Sequence, residues 1–121
     1  MNAKSYNAFC KSLPATSHVV QWGGADVWKV GGKVFAVGGW QDEGAPLAVT
    51  FKCSEIGYKI LRDTPGCRPA PYMASRGLRW IQRFAATGID DAELRDYLRE
   101  SYRLAAANLS KKKRAELGIE V

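Results

Sequence analysis

The sequence predicts an α+β fold: a two-layer α/β sandwich with an antiparallel sheet and its helices on one face. Three observations carry this. Short β-branched and aromatic runs are separated by Gly23-Gly24, Gly31-Gly32 and Gly38-Gly39, as expected of hairpins turned by glycines that reach positive φ. A strongly capped amphipathic segment begins at Asp90, the signature of a helix start. Strand-like runs are grouped ahead of the long helix, and that grouping favours an antiparallel sheet covered on one side. With 121 residues and no repeat, low-complexity tract or linker, the chain is expected to form one domain over residues 1–121.

Each element has a local reason. Tyr6, Phe9, Cys10 and Leu13 fall at helical spacing and Pro14 ends the pattern, so a short helix opens the chain. His18 to Trp22, Asp26 to Val30 and Lys33 to Val37 read as strands between the glycine pairs. A looser loop over 40–46 leads to a fourth strand, in which Leu47, Val49, Phe51 and Cys53 alternate with smaller or polar residues. Ser54 suits an N-cap, so 55–62 reads as a helix turning Ile56, Ile60 and Leu61 inward, ended by Pro65-Gly66. Residues 67–73, with Pro69 and Pro71, are expected to be an extended loop. Strand character returns over 77–84, with Leu78, Trp80 and Phe84 on one side and Arg79, Ile81 and Arg83 on the other.

The next helix is the best marked. Asp90 caps it with Glu93 three residues on, Ile89 and Leu94 are placed as a hydrophobic staple, and Leu94, Tyr97, Leu98, Ser101 and Leu104 line one face. Ser110 and Gly118 bracket a last helical turn.

Composition narrows the function classes. No apolar run approaches the ~20 residues that span a bilayer, and the start of the chain lacks the apolar stretch of a secretory signal. Cys10, Cys53 and Cys67 are odd in number and widely spaced, so the expectation is a reducing cytoplasm with buried thiols rather than a disulfide framework. One histidine, His18, and three scattered cysteines do not make a zinc site. No metal or other cofactor is expected. His18 lies beside Val19 and Val20 on a strand, Asp90-Asp91 is explained by capping, and no GxxxxGK[ST] run occurs. The expectation is therefore a protein that is not an enzyme.

Charge points to a binding role. Eighteen Lys and Arg against 12 Asp and Glu give a net +6. Residues 52–83 hold seven bases and two acids, and such concentration attracts phosphates. Alternation groups Arg79 with Arg83 on one strand, and Thr50 with Lys52 on another. If the apolar faces point to the helices, Lys52, Arg79 and Arg83 share the open side of the sheet, extended by Tyr72 and Arg76 in the preceding loop. The densest basic run is Lys111, Lys112, Lys113 and Arg114, placed against the helix macrodipole if a helix starts at Ser110. Trp28 and Trp80 read as core, whereas Trp40, in a glycine-rich loop, is a candidate for exposed aromatic recognition together with Tyr72.

The chain resembles the MmcQ/YjbR family of small bacterial proteins from Phe9 to Leu117. The markers are Cys10-Lys11-Ser12-Leu13-Pro14, Trp22, Lys33-Val34-Phe35-Ala36, Phe51-Lys52, Arg68-Pro69, Tyr72, Trp80, Ser101-Tyr102 and Lys112-Lys113-Arg114. Ala15 stands where the family more often has glycine. The resemblance implies a frataxin-like (CyaY-like) α/β sandwich and a DNA-binding role; it transfers no catalytic or ligand residues.

Two functions are expected in order. The first is a non-enzymatic DNA-binding module contacting phosphates through the basic sheet face and the 111–114 run. The alternative is a protein-interaction adaptor using the open sheet face or the Trp40 loop. Iron handling ranks last, because Asn2 to Leu13 contains no Asp or Glu and hard cations need oxygen ligands.

Overall fold

The computed structural model describes residues 1–71 and 79–119. Helix α1 (Ala3–Ser12) is followed by strands β1 (Thr16–Gln21), β2 (Ala25–Val30), β3 (Lys33–Gly38) and β4 (Val49–Lys52). Then come α2 (Glu55–Leu61), β5 (Cys67–Pro69), β6 (Trp80–Arg83), α3 (Asp91–Ala106) and α4 (Lys111–Leu117). The six strands form one antiparallel sheet in the order β1-β2-β3-β4-β6-β5. Among the described residues no helix is long and apolar enough to cross a membrane.

The helices begin where their side chains can cap them. Asn2 accepts from the Ser5 N–H and Asp90 from the Glu93 N–H, each within a reciprocal capping box. Ser54 and Ser110 cap α2 and α4 in the same way, satisfying N–H groups that have no partner within the helix. The buried residues of the helices pool with one face of the sheet. Tyr6, Cys10, Leu61, Leu94, Leu98 and Tyr102 pack in one cluster with Trp28, Phe35, Ala36, Phe51 and Ile81. Burying apolar surface of this kind contributes about 25 cal/mol per Å2 and sets which way every strand faces.

The register exposes what the other face is made of. Val19, Val27, Val37, Thr50, Gln82 and Arg68 form successive cross-strand pairs. The middle of that row is closed to water: Val27, Val37, Thr50 and Gln82 are all fully buried. Val34 and Trp40 pack there against Ala25, Val27 and Val37. The open basic face expected from alternation is therefore not what the sheet presents.

Three expectations change. Ile56 and Ile60 on α2 are exposed, at 73% and 58%, and only Leu61 enters the core. Ile56 and Ile60, one turn apart, share a side of α2, and Leu61 lies about 100° further round, so the side that buries Leu61 leaves the two isoleucines outward. Residues 67–69 form a strand, not a loop, because Cys67, Arg68 and Pro69 pair with Arg83, Gln82 and Ile81. Pro69 is tolerated because β5 is the sheet's edge. Finally, the strand expected over 77–84 runs from Trp80 to Arg83, with 77 and 78 outside the described residues.

Candidate nucleic-acid interface

Register decides which of the predicted cations are available. Phe51 faces the helices, and it pairs with Ile81, while Lys52 pairs with Trp80. Paired residues in an antiparallel sheet share a face. Ile81, and with it Arg79 and Arg83, therefore points to the helix side, and Lys52 points to the other. The three cations do not share an open face. Trp80 and Phe84 do lie together by alternation, but on the side away from the helices, and Leu78 lies outside the described residues.

Arg83 is the clearest correction. It is 4% exposed, with Nη1 donating to Asp91 Oδ1 at 2.9 Å and Nη2 donating to the Ile89 carbonyl at 3.1 Å. Asp91 also receives the Met1 ammonium at 2.8 Å. The hydrogen bond from that ammonium, followed by the one from Arg83, holds the Asp91 carboxyl below the usual carboxylate range. Arg83 thus fastens β6 to the start of α3. A guanidinium buried to this degree and ion-paired to Asp91 is out of reach of a phosphate backbone.

Arg79 is exposed; its carbonyl accepts the Cys53 N–H at 2.7 Å, which continues the β4–β6 ladder past its last strand pair. Lys52 is half-buried, and its backbone is held in an unusual way. β3 carries a bulge, since Trp28 pairs with Ala36 and Lys29 with Val34, leaving Phe35 without a partner in β2. The buried Ser101 hydroxyl donates to the Phe35 carbonyl at 2.7 Å and accepts the Lys52 N–H at 2.9 Å. One side chain of α3 completes the ladder between β3 and β4. Sequence reading placed Ser101 on the inner face of α3, but nothing in the spacing signals this bridge.

The 111–114 run is where it was expected. Lys111, Lys112 and Lys113 are exposed and Arg114 half-buried on α4. The helix is seated against the β2–β3 turn: a Cβ at Gly31 would lie 2.7 Å from Leu109 and 3.1 Å from Leu117, and Gly31 has φ +55°. Only glycine satisfies both the turn and the close approach. Lys111 and Arg114 line an open depression of about 380 Å3 with Ala115, Gly118 and Ile119.

Following the register along the strands brings these cations together at one end. The β2–β3 turn with Lys33, the end of β4 at Lys52, the start of β6 after Arg79, and α4 on Gly31 all belong to it. Lys11 arrives with the end of α1, where Thr16 Oγ1 donates to the Cys10 carbonyl. Arg103 arrives with the last turn of α3, beyond Ser101. None of these has an ion-pair partner among the described residues, whereas Lys59, Arg62, Arg83 and Arg99 each do. Glu116, the half-buried Glu100 and Glu55, which is paired with Lys59, are the nearby acids. The opposite end holds Asp26, Asp42, Glu43, Asp90, Asp91 and Glu93. The protein is thus electrically polar along its strands. Lys11, Lys33 and Arg103 were missed by sequence reading because they lie far apart in the chain and converge only through topology.

The aromatic candidates are elsewhere or undescribed. Trp40 is half-buried, with its indole N–H donating to the Trp22 carbonyl at 3.0 Å and the two rings 6.3 Å apart. It sits at the β1–β2 turn, the end opposite the cations, so it is not positioned to stack on a nucleic acid held by them. Tyr72 and Arg76 lie outside the described residues.

The three cysteines are muted as nucleophiles. Burial pushes the Cys10 and Cys53 thiols up to about 12 and raises that of Cys67, so all three stay protonated and poorly nucleophilic at neutral pH. His18 Nε2 and Asp26 Oδ1 are 2.8 Å apart, with the imidazole 4.9 Å from the Trp28 ring. Among the described residues no three His, Cys, Asp or Glu side chains gather to hold a metal ion.

Comparison with known proteins places this geometry. A family model described as YjbR matches residues 11–104. No curated protein matches the chain. Among solved structures, Deinococcus radiodurans protein DR2400, a DUF419 domain, is similar with a TM-score of 0.81 and 20% identity. That match covers 98% of this chain and 89% of that one. A Pseudomonas syringae protein, structural-genomics target PsR293, is similar with a TM-score of 0.69 and 18% identity, over 87% of this chain and 99% of that one. At these identities the likeness shows a shared fold.

Proposed function

The chain belongs to the YjbR family, and from that premise we propose that it is a non-enzymatic DNA-binding module whose contact surface is the basic end of the sheet rather than its face. The observation that carries this reading is the convergence of Lys33, Lys52, Arg79 and the 111–114 run at one end without acidic partners among the described residues. Cations so placed meet phosphates along a backbone, which supplies affinity and register without reading bases. We read the fold as CyaY-like and the compartment as a bacterial cytoplasm, where the three free cysteines stay reduced.

The test is fluorescence anisotropy on short duplex and single-stranded DNA across a salt series. Binding of duplex should weaken with salt at a log–log slope of about −0.9 per phosphate contacted. Replacing Lys111, Lys112 and Lys113 together with Gln should lower affinity for every sequence and reduce that slope by up to ~3. Affinity that does not change with salt, or a triple variant that binds as the parent does, sinks the proposal.

A protein-interaction adaptor is the second reading, favoured by Trp22, which is 49% exposed beside Trp40. Capture of a protein partner that is lost on Trp22→Ala, with no salt-sensitive binding of DNA, would decide for it.

A further inference from the structure

The two edges of the sheet are built differently. The β5 edge is three residues long, ends in Pro69 and carries Arg68, devices that discourage another strand from pairing. The β1 edge, Thr16 to Gln21, has six residues with no Lys, Arg, Asp, Glu or Pro among them, and its six pairs with β2 run without a bulge. Its Ser17, His18, Val19 and Val20 are all exposed. Val20 at 59% and Val19 at 37% offer apolar surface on both sides of the strand. No described strand pairs with its outer side, so every second residue presents its N–H and C=O outward.

Trp22 extends the edge in the direction of the strand. Both it and Trp40 have positive φ, +54° and +69°, a conformation that strains a non-glycine residue and persists where the surroundings hold it. Here the indole hydrogen bond between the two holds the pair beside Val20.

We propose that β1 pairs antiparallel with β1 of a second copy of this chain across a two-fold axis, continuing the sheet through both. Charge selects this occupant. Toward the Thr16 end of β1, Ser17 pairs with Lys29 and the end of α1 brings Lys11, whereas toward the Gln21 end Val20 pairs with Asp26. Antiparallel pairing sets the basic end of each copy beside the acidic end of the other, while parallel pairing would set like against like. Within β1 no Lys, Arg, Asp or Glu adds repulsion at the axis. The inference does not depend on DNA binding.

Sedimentation velocity on the full chain, from low to high micromolar concentration and at two salt concentrations, tests this. A dimer that weakens with salt is expected, and in hydrogen exchange the β1 amides should gain protection with concentration in the unaltered chain. Val20→Lys, at a surface position, sets two lysines near the axis and should weaken dimerisation at least tenfold with the far-UV spectrum unchanged. The exchange measurement stands even if that variant fails to fold. A chain that stays monomeric throughout, with β1 amides equally fast at every concentration, overturns the proposal. So does a dimer that survives both Val19→Lys and Val20→Lys, or one in which only foreign peptide strands protect β1.

Discussion

Arg79 and Arg83 stand on the same side of one strand-like segment, four residues apart, and do opposite things. Arg83 lies under the start of α3, where Ile89 and Asp91 take up its guanidinium. Arg79 lies where the strand leaves the sheet, exposed and without an acidic partner among the described residues. The difference is not in the residue or its pleat but in what the fold puts over it. A buried guanidinium with hydrogen-bonded partners is a structural rivet, and an exposed one is free for a mobile anion. The same contrast scales to the two ends of the sheet, one rich in carboxylates and the other in unpaired cations.

The sharpest way to break that contrast is to make both arginines neutral in turn. Arg83→Met removes one of the two cations on Asp91 and leaves the buried Ile89 carbonyl without its donor, and with two hydrogen bonds from a charged group lost it is expected to cost about 3 kcal/mol, lowering Tm by roughly 10 °C. Arg79→Ala should leave Tm within about 2 °C while weakening DNA. Calorimetry and anisotropy on the two variants give the comparison directly; equal losses of stability would erase it. Ser101→Ala follows in size. It leaves the Lys52 N–H and the Phe35 carbonyl unpaired in the core, at about 1–3 kcal/mol, read by urea unfolding.

Acid titration sharpens the same point at Asp91. Its carboxyl titrates below the usual range in the folded chain. The stability this supplies is fully present above the unfolded carboxylate pKa of about 3.9 and is lost as pH falls through the lower folded value. Asp91→Asn should therefore be less stable than the parent at neutral pH, with the gap closing toward low pH. A gap that stays constant with pH would remove Asp91 from the rivet.

The legible parts of this fold are those written in local chemistry. The glycine pairs marked the turns around β2 and β3, and Asp90 with Glu93 marked the start of α3, because caps and positive-φ turns need particular residues within a few positions. The basic run of α4 was readable for the same reason. What could not be read was the pairing of β4 with β6, separated by α2 and β5. Sequence shows that Arg79, Ile81 and Arg83 share a side, but only the pairing of Ile81 with Phe51 says that this side is the core. Two of the three proposed sheet contacts were misplaced by that one unknown. The bridge made by Ser101 and the arrival of Lys11 and Arg103 at the basic end are likewise products of topology.

The smallest effect bears on whether the basic end is held against the preference of its own helix. Lys111, Lys112 and Lys113 occupy the first turn of α4, where the macrodipole favours anions. Their exposure and the shortness of the helix keep the penalty low. Replacing all three with Gln should leave stability unchanged or raise it by about 0.3–1 kcal/mol in low salt, and the gain should shrink as salt screens it. Urea unfolding at two ionic strengths measures this. A clear loss of stability would mean that the lysines serve the fold through contacts of their own, and the basic end would then resemble the Arg83 end more than it differs from it.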